Sequence, residues 1–367
     1  MYPDKKTGDI LKNVACFFVF SPFFHTFVKN ESDMNWRGFL LCVVTLTVVT
    51  SAWGQSSRRE RRERRVHFLD SVLTKRYYRG KYDTAYIRRP DTRFTIKVRA
   101  NMSGSSLRAK GRLEGEDVHG RLTTEIRGTI SGVVSYRGLS AGLSLNPGSL
   151  SGRNKDYEFN FNNYTNRYGF EISYQMSKTL NGDMHIGDNT THLSQGGVDM
   201  EVFSANGYYA FNGRRFSFPA AFTQNYIQCR SVGSWLVGFS YIGSSMKSIG
   251  DESEDRKHYR IYIGHLGIGG GYGYNFVLHD KWLLHLSTLP TLVISNRSNI
   301  TVDGERQTTS TRFPDLILTE RLAVVRDINR RYYMSATLLM NNSLFGNRDM
   351  NVNYNRWHTR FSFGFRL

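Results

Sequence analysis

Asp183, His185, Asp188 and His192 fall within one short stretch and carry the side chains that hold divalent metals. Their spacing matches no recognised zinc pattern, so no metal is expected there. Hydrolytic chemistry at a bilayer would need a serine beside a histidine that an Asn or Asp orients. His265, His285 and His358 fall on the polar parity of their strands, away from lipid, and no serine is tied to them by spacing. A non-enzymatic protein is the first expectation, and a phospholipase- or acyltransferase-like lipid-modifying enzyme is the alternative. Gly267, Gly269, Gly271 and Gly273 do not make a dinucleotide fingerprint, because Tyr272 stands where the third glycine belongs and no helix follows. The row is expected instead to admit bulky groups from the opposite wall or to let a strand bend. No cofactor is expected.

Charged residues of one parity form two groups. Lys97, Arg99, Arg127, Arg360 and Arg366 are expected as a cationic sector of a lumen, with Asp156, Glu158, Glu171, Asp199 and Glu201 as an acidic sector. Opposed sectors either bridge and shut a narrow lumen or set a transverse field that screens solutes. The paired network is favoured, because charges in a low-dielectric interior are normally paired.

The elements that position these groups are strands with two faces. Side chains alternate along a strand, so a membrane barrel reads as segments of about ten residues, apolar on one parity and polar on the other. Phe94, Ile96, Val98, Ala100 and Met102 alternate with Thr95, Lys97, Arg99, Asn101 and Ser103. Tyr168, Phe170, Ile172, Tyr174 and Met176 oppose Arg167, Glu171, Ser173 and Gln175, and Tyr332 to Met340 repeat the code. About 12 strands are expected, starting near residues 94, 122, 139, 155, 167, 198, 228, 260, 281, 316, 331 and 353. Tight turns near 137, 165, 279 and 329 would share one end, and longer loops near 114, 181–197, 248–257, 296–311 and 345–350 the other. Phe216-Ser-Phe-Pro219-Ala-Ala-Phe222 contains a proline that interrupts a ladder, so residues 212–227 are read as a periplasmic excursion.

A soluble sandwich would also alternate. The export signal and the aromatic residues near strand ends favour a membrane instead. Met34-Asn-Trp-Arg37 precedes an apolar run from Gly38, and Ala52 and Gly54 are small residues at alternate positions. Residues 34–54 therefore read as a signal peptide cut between Gly54 and Gln55, with residues 1–33 as an upstream mis-start and export by the general secretory route. The last segment, with Trp357, Phe361, Phe363, Phe365 and Leu367 at alternate positions, resembles the strand that the outer-membrane assembly machinery recognises.

Composition agrees. Aromatics at 14% and 34 Gly against 7 Pro suit strands and turns. The net charge of +18, about +17 after the signal is removed, would suggest nucleic acid in a cytosolic protein, but the inferred address replaces it with lipopolysaccharide phosphates and anionic lipid. Outer-membrane lipids, lipopolysaccharide and the barrel assembly machinery are thus the expected partners, with no nucleic acid. Cys229 alone would remain after cleavage, so no internal disulfide is expected. Residues 55–93 read as a basic periplasmic arm before a barrel over 94–367. Its Arg-rich start is either a solvated charge run or a segment that plugs the lumen or, across residues 56–93, meets a periplasmic partner.

Several motifs carry a resemblance: Tyr86-Ile-Arg-Arg-Pro90, Val133-Val-Ser-Tyr-Arg-Gly-Leu139, Leu143-Ser-Leu-Asn-Pro147, Gly152-Arg-Asn-Lys-Asp-Tyr157 and Phe216 to Phe222. Together the chain resembles the family of Bacteroidetes outer-membrane proteins called domain of unknown function 4421. The resemblance implies an antiparallel up-and-down transmembrane β-barrel of the Gram-negative outer membrane and supplies no ligand or catalytic residue. The function expected is a narrow solute pore or a structural envelope component.

Overall fold

The computed structural model describes residues 81–367 and Ser71, except 114–115, 137–138, 151–155, 249–258, 303–304, 309–314 and 347–349. The expected mis-start, the signal peptide with its Gly54/Gln55 junction, and the arm before residue 81 lie outside the described residues, Ser71 apart.

The strands are β1 (Ile87–Arg88), β2 (Phe94–Leu113), β3 (Glu116–Thr123), β4 (Arg127–Tyr136), β5 (Leu139–Leu145) and β6 (Tyr157–Tyr164). Next come β7 (Tyr168–Ser177), β8 (Asn181–Ile186), β9 (Asn189–Leu193), β10 (Val198–Ala210), β11 (Ile227–Gln228) and β12 (Val232–Ser248). The last are β13 (Tyr259–Leu278), β14 (Trp282–Val302), β15 (Glu305–Thr308), β16 (Leu316–Asp327), β17 (Tyr332–Gly346) and β18 (Met350–Arg366). Two short helices, α1 (Pro147–Leu150) and α2 (Phe218–Phe222), interrupt them.

Sixteen strands form one antiparallel sheet, and β1 pairs only with β11. From β7 the ladders run through β10, β12, β13, β14, β16, β17, β18 and β2. β3 and β4 share one position beside β2, with residues 124–126 between them. β3 then pairs with β8, which continues β7 after residues 178–180. The sheet thereby returns to its own start and makes a barrel. The segment 181–197, expected as an open loop, is instead the β8–β9 hairpin that closes this ring.

Short-range chemistry fixes the narrow end. His279 and Asp280 both take positive φ (50° and 54°) in the tight turn of three residues between the paired Leu278 and Trp282. The Asn329 side chain accepts from the Arg331 and Tyr332 amides, both at 2.8 Å. Thr165 Oγ1 accepts from the Tyr168 amide at 3.0 Å. These turns share one end of the barrel, the turn end, and the longer connections lie at the loop end.

The alternation places apolar groups outside. Val98, Leu286, Trp235 and Phe361 are exposed on the outer wall, Trp235 to 69%, whereas Lys97 and Arg321 on the inner wall are 1% exposed and His285 is 0%. A water-soluble sandwich sorts its side chains the other way. Inside, two apolar clusters occupy opposite ends. Phe216, Phe218, Phe222, Leu283, Leu289 and Val325 belong to the turn-end cluster. Leu122, Met200, Val202, Ile242, Val293 and Tyr354 belong to the loop-end cluster.

Candidate functional site in the barrel interior

The 212–231 connection between β10 and β12 is not a spanning strand, and it does not stay outside the barrel. It folds back into the turn end as a plug. Ser217 starts α2, its hydroxyl accepting from the Ala220 amide at 3.2 Å, with Pro219 in the first turn where its missing N–H costs nothing. All five residues of α2 are buried, Phe218 and Ala221 completely. Of the glycine row of β13, Gly273 meets this plug, where a Cβ would sit 3.1 Å from the Phe216 ring, whereas Gly267, Gly269 and Gly271 lie against atoms of β14.

Polar groups bolt the plug to the wall. Gln228 donates to the carbonyls of Tyr86, Arg215 and Arg230, and its side-chain oxygen accepts from the Ser217 amide and from Asn275 Nδ2 at 2.9 Å. Lys97 Nζ donates to Thr223 O at 2.7 Å, at the C-terminal end of α2. Residues 83–89 cover the outside of the plug: β1 pairs with β11, and Arg215 Nε reaches Asp83 Oδ2 at 3.0 Å. The described part of the expected arm thus seals the turn end. Cys229 lies in this seal, and burial pushes its thiol up, away from the reactive thiolate.

Asn275, His285 and Ser287 meet beneath α2. His285 Nδ1 lies 2.7 Å from Asn275 Oδ1, and Nε2 lies 3.0 Å from Ser287 Oγ. With Nδ1–H donating to Asn275, Nε2 is left to accept the serine hydroxyl, the hydrogen-bond order of a nucleophilic triad. Sequence reasoning found no serine for His285. The signal was the two-residue spacing, which puts both on one face of β14. All three are at most 1% exposed, and Phe216, Phe218 and Phe222 pack on the imidazole.

Ion pairs cross the middle of the lumen. Arg321 on β16 grips Glu171 on β7 through Nε and Nη2, both at 2.7 Å. Arg356 on β18 reaches Glu158 on β6 at 2.5 Å, and Arg127 on β4 reaches the same carboxylate at 2.9 Å and Asp156 at 3.8 Å. Asp156 also accepts from Ser177 and Thr179 hydroxyls at 2.9 and 2.6 Å. Of the expected cationic sector, Lys97, Arg99, Arg127, Arg360 and Arg366 all lie on the inner parity. Arg360 donates to Asn101 at 2.9 Å and Arg366 to Asp327 at 2.8 Å. Arg321 and Arg356, which make the crossing pairs, were missed although they share the parity of Ala323 and Arg360.

The acidic sector needs correction. Asp156, Glu158 and Glu171 point inward, but Asp199 and Glu201 lie on the outer parity of β10 with Phe203 and Tyr209. Val198, Met200 and Val202 take the inner parity because they belong to the loop-end cluster. Asp199 pairs instead with Lys178 at 3.7 Å. In the metal candidate, Asp183 Oδ1 and His192 Nδ1 are 2.6 Å apart and His185 stacks on His119, while Asp188 sits at the hairpin turn. Among the described residues no group of three metal-binding side chains converges.

Two gaps on the inner wall are small: one lined by Glu171 and Arg356 and one between the plug and the β13–β14 turn are about 10 and 20 Å³. This interior is built from strands spread over the whole barrel. The family described as Domain of unknown function (DUF4421) matches residues 81–367, which include every strand of it. The chain belongs to that family. No curated protein matches it. Among solved structures it is similar to the outer membrane protease OmpT of Escherichia coli at 7% identity, over 76% of this chain and 97% of that one, with a TM-score of 0.42. It is also similar to the translocator domain of the autotransporter NalP from Neisseria meningitidis, at 9% identity over 88% and 99% of the two chains (TM-score 0.27). The β domain of the Bordetella autotransporter BrkA gives 10% identity over 75% and 100% (TM-score 0.30). The fold is read from this family member's own ladders rather than from those likenesses.

Proposed function

We propose that this chain is an outer-membrane barrel that holds itself shut, a non-enzymatic structural component of the envelope rather than an open solute channel. The observation that carries the reading is the bidentate Arg321–Glu171 pair joining opposite walls, with an apolar cluster on each side of it. The membrane address is supported by the outer wall, where exposed aromatic and aliphatic side chains ring a sheet whose polar residues face inward. In planar bilayers the refolded chain is expected to show no steady conductance. Long-lived, ion-selective openings of the wild-type protein would overturn the reading.

A lipid-modifying enzyme is favoured by one observation, the Asn275–His285–Ser287 hydrogen-bond order. Its complete burial under α2 favours a fastening for the plug, since no ester can reach Ser287 Oγ while α2 is seated. A fluorophosphonate probe is expected to leave Ser287 unlabelled in bilayers. Labelling that Ser287→Ala abolishes would favour the enzyme.

A further inference from the structure

The outer wall changes character at one level on two adjacent strands, β2 and β18. On β2 the outward series Phe94, Ile96, Val98, Ala100, Met102 gives way to Gly104, Ser106, Arg108 and Lys110. On β18 the series Phe363, Phe361, Thr359, Trp357 gives way to Asn355, Asn353 and Asn351, while on neighbouring β17 Asn342 stands between Met340 and an exposed Leu344. Trp357 marks the boundary, its indole lying against Gly104, where an added Cβ would approach the ring to 3.1 Å. Arg108 lies four residues beyond Gly104, roughly 10 Å further out once strand tilt is allowed for. That is the depth of headgroups above an interfacial tryptophan.

At this level lies a cavity of about 570 Å³, opened where residues 124–126 interrupt the strand beside β2. Arg108 and Arg121 line it and are direct cross-strand partners. Like charges placed opposite one another destabilise a sheet unless something negative lies between them. Among the described residues neither guanidinium makes an ion pair. Asp183 stands opposite Arg121 in register, but its carboxylate binds His192 at 2.6 Å. Asp117 is engaged by Arg112 at 3.0 Å, and Glu320 accepts from Asn342. Asn353, the partner of Arg108 on the other flank, has a buried side-chain oxygen without a hydrogen-bond partner. Two guanidiniums suit a phosphate, and the unpaired Asn353 side-chain oxygen, on the same strand as the Trp357 indole, suits a sugar hydroxyl, with the indole for the sugar's apolar face.

We propose that the Arg108–Arg121 cavity binds the phosphorylated sugar headgroup of a glycolipid in the leaflet at the loop end. This rests on the membrane reading above but not on the lumen being shut. The site holds one lipid against the wall where the ladder is interrupted.

The test uses the refolded chain in phosphatidylcholine nanodiscs doped with bis-phosphorylated lipid A, with bound lipid counted by native mass spectrometry. Wild type is expected to retain lipid A about tenfold better than Arg108→Ala/Arg121→Ala, and Arg108→Lys/Arg121→Lys is expected to fall between them. Arg260→Ala, an exposed cation on a different strand, is expected to match wild type. Dephosphorylated lipid A is expected to bind wild type no better than the double alanine variant. Equal retention by the double variant overturns the site, as does equal retention of phosphatidylglycerol. Displacement by millimolar inorganic phosphate also overturns it, because the site would then be for the free anion. Failure of the wild-type chain to enter nanodiscs overturns the membrane reading, and the headgroup site falls with it.

Discussion

The barrel has a wall held by backbone and a seam held by side chains. From β10 to β18, β11 and β15 apart, each strand pairs with both neighbours in long ladders; β13 and β14 run together from Tyr259↔Val302 to Leu278↔Trp282. Between β4 and β7 the arrangement differs. β5 pairs with β4 and β6 with β7, but among the described residues no ladder joins β5 to β6. Among the described residues, ring closure occurs at the loop end, through β3 and β8. Below that closure, side chains cross the seam: Arg127 on β4, Ser103 on β2 and Arg356 on β18 all reach Glu158 on β6. The contrast teaches that the charge cluster at Glu158 stands where ladder hydrogen bonds run out, fastening strands that the backbone leaves apart, whereas Arg321–Glu171 spans the lumen between laddered strands.

The largest effect is expected from cutting the pair that ties the wall to the seam side. Arg321→Ala leaves Glu171 charged inside the barrel without its cation, with only the Tyr164 hydroxyl donating to it at 2.9 Å, and should cost about 3–5 kcal/mol of stability. Urea unfolding in detergent measures it. Replacing both residues by apolar groups, Arg321→Met with Glu171→Leu, should recover most of the loss, because the penalty belongs to the orphaned charge rather than to the lost attraction. A double variant as weak as the single one would break the account of these ion pairs as fasteners.

Next in size is the difference in local opening. Amides of β5 and β6 are expected to exchange at least about a hundredfold faster than those of β13 and β14, since their outer edges lack ladder partners. Hydrogen exchange followed by mass spectrometry reads this directly. Equal protection across the four strands would remove the distinction between seam and wall.

The strands and their faces are legible in the sequence, the seam is not, and the illegible parts have identifiable causes. Strand positions and faces follow from period two, which holds wherever one face meets apolar surroundings and the other does not. That rule fails at the loop end of β10, where Val198, Met200 and Val202 turn inward to an apolar cluster and Asp199 and Glu201 turn out. The plug was hidden because Pro219 and three phenylalanines describe a segment that leaves the ladder without saying to which side it goes. Closure by β8 depends on Asn181 to Leu193 folding back onto β3, a non-local pairing with no local sequence mark. Arg321 and Arg356 were readable from parity, but their partners depend on which strands face each other across the ring.

A smaller effect is expected at the plug, on the wall side of the comparison. His285→Ala removes the acceptor for Ser287 and the donor to Asn275, leaving two buried polar groups unmatched. The expected cost is about 2 kcal/mol, with faster trypsin cleavage at Arg214 and Arg215 as the plug loosens. Asn275→Ala should act in the same direction, and a plug whose proteolysis ignores both changes would not be held by this network.

The smallest effect concerns Asp315, in the connection ahead of β16 and beyond the spanning part of the wall. Burial raises its carboxyl above the ordinary range, against the lowering effect of hydrogen bonds from the Gly346 amide at 3.3 Å and Asn296 at 3.2 Å. A carboxyl raised in the folded state favours the protonated form there. Its contribution is therefore full below the unfolded-state pKa and is lost as pH rises through the folded one. Stability should decline slightly from mildly acidic to neutral pH, by under about 1 kcal/mol. Asp315→Asn, which removes the charge and keeps one of the two acceptor oxygens, should flatten that slope. A steeper decline in the variant would mean that Asp315 is held as an anion by charges at the loop end, and that this rim of the wall also depends on ion pairs as the seam does.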